Sequence, residues 1–261
     1  MKVHTLGTSA GTQPFSGFHH SSLAVEADGA LYWIDAGECG AYTAHLKGID
    51  ILKTRAIFIT HPHMDHVGGL GNLLWYIRKI NAVNKRNETD GRNIDIFSPV
   101  KETVEGFMTV LRHTEGDFIC PHTHTAHTVK EGLIYMSPDG KFRVYANPTE
   151  HMEKDPEGNC RSFSYTVTHN DKTVVFSGDM RLSDIKNILP ENCDAFFVET
   201  GHHQIEDICE EIKKHNKSVK QLFFTHHGGY IMRSPDEALI RAKNAFGEKC
   251  VICRDGFSYD I

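Results

Sequence analysis

Two stretches in which apolar and polar residues alternate, SSLAVEA (21–27) and ALYWIDA (30–36), flank the dipeptide Asp28-Gly29. Alternation puts every second side chain on one face of a strand, and Asp-Gly favours the backbone of a two-residue turn, so a β-hairpin is predicted near the start of the chain. The run RAIFIT (55–60) reads as a buried strand. It feeds HPHMDHVGG and then LGNLLWYIRKI (70–80), whose apolar spacing predicts a helix. IDIFSP (94–99) predicts another strand and KETVEGFMTVLRH (101–113) another helix. GLIYMS and KFRVYANP form a predicted strand pair around Asp139-Gly140, and SFSYTVTH and KTVVFSGDM a second pair joined by Asn170-Asp171. CDAFFVET (193–200) and KQLFFT (220–225) read as strands on either side of a helix at 204–216. Ser234-Pro235-Asp236-Glu237 carries the N-cap, proline and capping-box pattern that opens a last helix. Residues 113–131 show the weakest pattern and are expected to form a long loop near the functional site.

Strand pairs come first in each half and strand–loop–helix units follow them. That order predicts an α/β protein: a four-layer αβ/βα sandwich of two mixed sheets flanked by helices, with its site at strand ends. No low-complexity linker interrupts the 261 residues, so one domain over 1–261 is expected.

Composition adds limits. With 39% hydrophobic and 24% charged residues the chain can bury a sizeable core. No apolar run reaches about 18 residues, and the opening MKVHTLGTSAG lacks a basic region followed by a long apolar stretch. Neither a membrane span nor a signal peptide is predicted, and a cytoplasmic location is expected. Seven scattered cysteines fit reduced thiols better than a disulfide framework. Cys250 and Cys253 have CxxC spacing without a second pair, so they are expected to be buried thiols rather than a zinc ribbon. A net charge of −6 without a long basic run argues against a grip on long structured nucleic acid and favours a small-molecule or short substrate. The sequence leaves the oligomeric state open and is compatible with a dimer.

The compositional outlier is the count of 18 histidines. Four metal-capable side chains, His61, His63, Asp65 and His66, fall within HPHMDH, after a buried strand and before Gly68-Gly69. An extended loop there turns His61 and His63 toward one point, the arrangement a metal ion requires. Outside this segment, His122, His124 and His127 are candidates for a further metal site or a lid, with a polar loop as the simpler reading. His19 and His20, in a predicted loop, are weaker candidates for reaching a substrate.

HPHMDH resembles, residue for residue, the HxHxDH signature of the metallo-β-lactamase superfamily, and further matches span residues 35–226: Asp35 in WIDAG, His151 in PTEH, Asp179 in FSGDM and His226 in LFFTHH. The resemblance implies that His61, His63 and His151 hold one metal ion, that Asp65, His66 and His226 hold a second, and that Asp179 bridges them. It also implies that Asp35 orients a ligand imidazole. His227 stays open as a substitute for His226. Imidazoles and carboxylates suit zinc, with manganese or iron as alternatives, and a shared carboxylate offsets the repulsion between two divalent metal ions. Two such ions lower the pKa of a water between them, so a metal-bound hydroxide is the expected nucleophile.

GTSAGTQP resembles the opening of the tRNase Z and phosphodiesterase branch, in which a glycine-rich turn lies close to the site. Glu199, followed by His202-His203, resembles that branch's Glu and His pair, which makes His202 or His203 the candidate acid and places Glu199 and Asp65 with the catalytic groups. The branch's long tRNA-gripping arm has no room in residues 152–178, so a smaller or single-stranded phosphodiester substrate is expected in place of precursor tRNA. Thioester or lactone hydrolysis, as in glyoxalase II or lactonase relatives, is the alternative enzyme class. Iron-dependent oxidation and metal sensing are the non-hydrolytic readings.

Overall fold

In the computed structural model, which describes residues 1–261, the two predicted sheets are present with seven strands each. Strands are numbered in chain order. The first sheet runs, in spatial order, β14 (Phe257–Asp260), β1 (Lys2–Gly7), β2 (Ser22–Ala27), β3 (Ala30–Ile34), β4 (Thr54–Phe58), β5 (Asn93–Ser98) and β6 (Thr123–Thr128). The second runs β13 (Cys250–Ile252), β12 (Ser218–His227), β11 (Asn192–Thr200), β10 (Lys172–Phe176), β9 (Phe163–His169), β8 (Phe142–Pro148) and β7 (Gly132–Met136). Each sheet begins with antiparallel hairpins and continues with parallel strands, β3 to β6 in one and β10 to β13 in the other. The first hairpin turns at Asp28 (φ 48) and Gly29 (φ 73), the paired positive angles that the dipeptide favours.

The parallel strands are apolar on both faces because both faces are covered. Ala56 and Phe58 of β4 and Ala195 and Phe197 of β11 point between the sheets, where Tyr32 stacks on Phe142 with ring centroids 3.7 Å apart. Ile57 points outward from the first sheet to α1 (Gly40–Leu46), the short α2 (Met64–Val67), α3 (Leu70–Val83) and α4 (Lys101–Thr114), while Phe196 and Val198 point outward to α5 (Ile185–Ile188), α6 (Ile205–Lys214), α7 (Gly229–Arg233) and α8 (Pro235–Phe246). Three apolar layers thus lie between four structural ones. No helix is long and apolar enough to cross a membrane.

Two expectations need correction. Residues 113–131 are not one long loop near the site: 123–128 form β6, the edge strand paired in parallel with β5, and its first residues lie at the end of the sheet away from HPHMDH. Its THTAHT pattern gives little hydrophobic signal because an edge strand is half solvated. At α8, Pro235 occupies the first turn as predicted, but Ser234 makes no side-chain cap bond; its ψ of 63° departs from the extended backbone that aims a capping hydroxyl. All seven cysteines are free thiols, with Cys193, Cys209, Cys250 and Cys253 buried.

Candidate metal centre

The carboxyl ends of β3, β4, β8, β10, β11 and β12 all open on one edge of the sandwich. There the chain must leave each strand, and backbone and side-chain polar groups are freed from the ladders, which is where sites in α/β sheets form. β4 ends at Phe58 and the chain turns through Thr60-His61-Pro62-His63 into α2, which carries Asp65 and His66. β8 delivers His151, β10 delivers Asp179, β11 ends in Glu199 and leads to His202, and β12 contains His226.

Asp179, 3% exposed, is the centre. Its Oδ2 lies 3.6 Å from His61 Nε2 and 3.5 Å from His151 Nε2. His63 Nδ1 completes that group, 3.0 Å from His61 Nε2 and 3.4 Å from His151 Nε2. The other oxygen, Oδ1, lies 3.2 Å from His66 Nε2 and 3.4 Å from His226 Nε2. Asp65 Oδ2 joins this second group at 3.4 Å from His66 Nε2 and 3.2 Å from His226 Nε2, and the two imidazole nitrogens are 3.0 Å apart. One carboxylate therefore offers one oxygen to each of two three-donor groups.

This donor set fits divalent cations. Asp179 Oδ1, the oxygen that faces His66 and His226, is buried without a hydrogen-bond partner, and a buried polar atom left so is costly in a protein that has no other use for it. The charge balance is consistent. Burial opposes ionisation of Asp179, but His226, His66 and His61 around it hold its carboxyl well below the usual range. Burial likewise opposes ionisation of Asp65, and His226 and His66 overcome it. Burial pushes His61 well down, aided by His66, so its ring is neutral. For His226, burial lowers the pKa, yet the Asp179 carboxylate, the bond to Asp65 and the Glu199 carboxylate 3.8 Å from Nδ1 outweigh it and hold the ring up at about 9. A cluster whose carboxylates stay ionised among imidazoles is a ligand set in waiting.

Supporting residues fix the rings. Asp35 Oδ2 accepts from His66 Nδ1 at 2.7 Å, while Asp35 Oδ1 accepts from the Thr60 backbone N–H at 2.7 Å and its hydroxyl at 3.0 Å. The orienting position expected of Asp35 is thus the one the fold gives it, at a φ of 62° in the left-handed region that aspartate tolerates better than most side chains. Tyr165 of the second sheet donates to the Ile59 carbonyl at 2.6 Å, tying that sheet to the strand end that carries His61. At Gly11 a Cβ would sit 2.9 Å from Asp65 Oδ2, so the glycine-rich turn approaches the site closely.

Two pairs that the sequence left open are separated by the fold. The β11–β12 register shifts after Glu199↔Thr225, and at this bulge His226 takes a φ of 47° and turns into the cluster. His227 turns the other way and is fully buried, its Nδ1 2.9 Å from Thr200 Oγ1 and its Nε2 2.8 Å from the Cys253 carbonyl. Similarly, His202 Nδ1 lies 2.8 Å from Glu199 Oε2 and 3.8 Å from Asp179 Oδ2, whereas His203 Nε2 is occupied by the Met180 carbonyl at 2.9 Å. Of the two histidines, it is His202 that faces Asp179, while the His203 ring nitrogen is held by a backbone carbonyl. Glu199, 1% exposed, also accepts from the backbone N–H groups of Met180 and His202. Burial resists its ionisation, but His202 and His226 bring it down to about 2, and its bond in turn raises the His202 pKa.

Other candidates lie elsewhere. His19 donates to Asp255 through its backbone N–H at 2.6 Å and its ring Nδ1 lies 2.9 Å from the same oxygen, and His20 Nδ1 lies 3.6 Å from Glu38; neither joins the cluster. His122 and His124 sit at the far end of the sheet, and His127 Nε2 bonds Asp95 at 2.7 Å. Asp184 was not legible in advance: its Oδ2 accepts from the backbone N–H groups of Glu150 and Arg181, joining the His151 loop to the Asp179 loop. Nothing in its spacing marks it, because it acts on backbone brought together by β8 and β10.

A family model described as anti-Pycsar protein Apyc1 matches residues 1–228. A ribonuclease Z of Methanococcus aeolicus is 32% identical over 153 residues, 58% of this chain and 44% of that protein. The chain spans about half the length of this and similar curated relatives. A ribonuclease Z of Nitrosopumilus maritimus is 28% identical over 282 positions that cover 87% of this chain and 89% of its own. The metallo-β-lactamase fold protein YhfI of Bacillus subtilis has the same fold, with a TM-score of 0.74 at 18% identity over 99% of this chain and 98% of that one.

Proposed function

The chain belongs to the Apyc1 family of anti-Pycsar proteins, within the metallo-β-lactamase superfamily, and on that footing we propose that it is a metal-dependent phosphodiesterase. The observation that carries the proposal is the Asp179 carboxylate, with one oxygen facing His61, His63 and His151 and the other facing Asp65, His66 and His226. Those seven residues are the proposed ligands of two divalent ions, zinc being the first choice for so many imidazoles and manganese or iron the alternatives. Bound there, the ions supply Lewis acidity toward a phosphoryl oxygen and bring the pKa of water near neutrality.

The chain's own groups do the rest. Asp35 and Thr60 hold the His66 and His61 rings in place, so the donors need not reorganise when substrate arrives. The half-exposed His202 hands a proton from Nε2 to the leaving oxygen. Glu199, bonded to Nδ1, keeps that imidazole protonated and oriented. An acid positioned for an oxygen leaving group is what phosphodiester cleavage requires, and it supports this reading over thioester hydrolysis, whose thiolate departs without a proton.

The proposed substrate is small or single-stranded. Between His151 and Asp179 the chain forms only a short turn at 155–159 and the β9–β10 hairpin, with no protruding arm to hold a folded RNA. The test is hydrolysis of bis-p-nitrophenyl phosphate by metal-loaded protein. Turnover should vanish on chelation and in His63→Ala and Asp65→Ala. Full activity in either variant overturns the assignment, and cleavage of precursor tRNA in preference to short diesters overturns the substrate class.

A further inference from the structure

Cys120, His122 and His124 stand outside the catalytic cluster, at the opposite end of the first sheet. Cys120 and His122 flank the bend that leads into β6 and His124 is the second residue of that strand, and the bend brings the three side chains together. These side chains are turned toward the outer helices: Cys120 packs against the apolar layer under α3 and α4, and the Phe118 ring stacks on His124 with centroids 5.9 Å apart. His127 does not belong with them, since it stacks on Phe97 of the inter-sheet layer at 4.6 Å.

The donor atoms of Cys120, His122 and His124 lie within 4.8 Å of one another. His122 and His124 each bury an Nε2 that has no hydrogen-bond partner. A histidine kept only for packing finds a partner for both ring nitrogens, and here two neighbours lack one at the same spot. His122 Nδ1 lies 3.0 Å from Thr89 Oγ1; with the ring proton donated there, Nε2 carries the free lone pair that a metal needs. Burial holds both imidazoles down at about 4, with Arg92 adding to it at His122 and His122 at His124, so both are neutral near pH 7.

We infer that Cys120 Sγ, His122 Nε2 and His124 Nε2 form a zinc site separate from the catalytic centre. One thiolate and two imidazoles match zinc and exclude magnesium and calcium, which take oxygen. Donors about 2.0–2.3 Å from a zinc ion sit closer together than 4.8 Å, and small rotations of the half-buried Cys120 and His124 side chains close the gap. As the S–Zn bond forms, the Cys120 thiol loses its proton to solvent. The ion ties the turn 116–118, in which Asp117 and Phe118 hold φ angles of 58° and 51°, to the start of the edge strand.

The catalytic cluster contains no thiol, so cobalt reports the two places separately. Titrating Co²⁺ into the full-length protein should give a cobalt–thiolate charge-transfer band in the near ultraviolet. The band should be absent in Cys120→Ser and weakened in His124→Ala, with bis-p-nitrophenyl phosphate hydrolysis unchanged in both. Zinc content by mass spectrometry should fall by about one equivalent per chain in Cys120→Ser. No band at cobalt saturation, an undiminished band in Cys120→Ser, or equal zinc content in the wild type and that variant overturns the site. Retained hydrolysis in Cys120→Ser shows that the variant is folded.

Discussion

The two sheets furnish the candidate metal centre in different ways. The first supplies His61, His63, Asp65 and His66 from one strand-to-helix junction, where neighbouring residues share a loop and a short helix. The second supplies His151, Asp179 and His226 from three strand ends, with Glu199 and His202 on a fourth. Local geometry governs the first set, whereas sheet register governs the second. A one-residue slip between β11 and β12 would exchange His226 for His227 and empty one corner of the cluster, because successive strand residues point to opposite faces. The first set is braced by Asp35 and Thr60, the second by Asp184 and Glu199, which accept from backbone N–H groups of loops distant in sequence.

Substitutions can break or sharpen this contrast. The largest effect is expected at Asp179, the residue on which both sets depend: Asp179→Ala should bring turnover to background and lower bound metal, measured by mass spectrometry on the purified variant. Next comes the second sheet's His202. In His202→Ala, hydrolysis of a diester with an alkoxide leaving group should slow by about 10²–10⁴-fold, while a p-nitrophenolate ester, which needs no protonation on leaving, loses far less. An equal loss on both esters would remove His202 from the acid role. The pH profile carries a related sign. Because Glu199 raises the His202 pKa, the acid form persists to higher pH and activity declines only above that raised value; in Glu199→Gln the alkaline limb should move to lower pH.

A smaller effect belongs to the first sheet's brace. Asp35→Asn keeps the shape but weakens the hold on His66, and metal affinity, followed by chelator competition, should drop by about 10–100-fold. Smallest is Tyr165→Phe, which deletes the bond to Ile59 across the sheets; its unfolding free energy in denaturant should fall by about 1–3 kcal/mol with turnover per folded molecule unchanged.

Legibility followed the same division. The hairpins at Asp28-Gly29, Asp139-Gly140 and Asn170-Asp171 are legible because these residue types tolerate positive φ, which Asp28 and Gly29 both adopt and which Gly140 and Asn170 adopt in the other two turns. The edge strand β6 is not legible, since half-solvated THTAHT carries almost no apolar alternation, and neither is the approach of Cys120 to His122 and His124. The cap at Ser234 was read from residue types that favour it, but the bend of the chain after α7 set the backbone otherwise.

By itself the sequence determined the layered α/β plan, the hairpin turns and the HPHMDH cluster, all of which rest on residues near one another along the chain. Only the tertiary structure turned His226 into the cluster and His227 away from it, bonded His203 to the Met180 carbonyl, and aimed the two oxygens of Asp179 at separate groups. Those outcomes depend on how distant strands align, and one bulge at His226, opposite the Glu199–Thr200 step, is enough to reverse which way a side chain points.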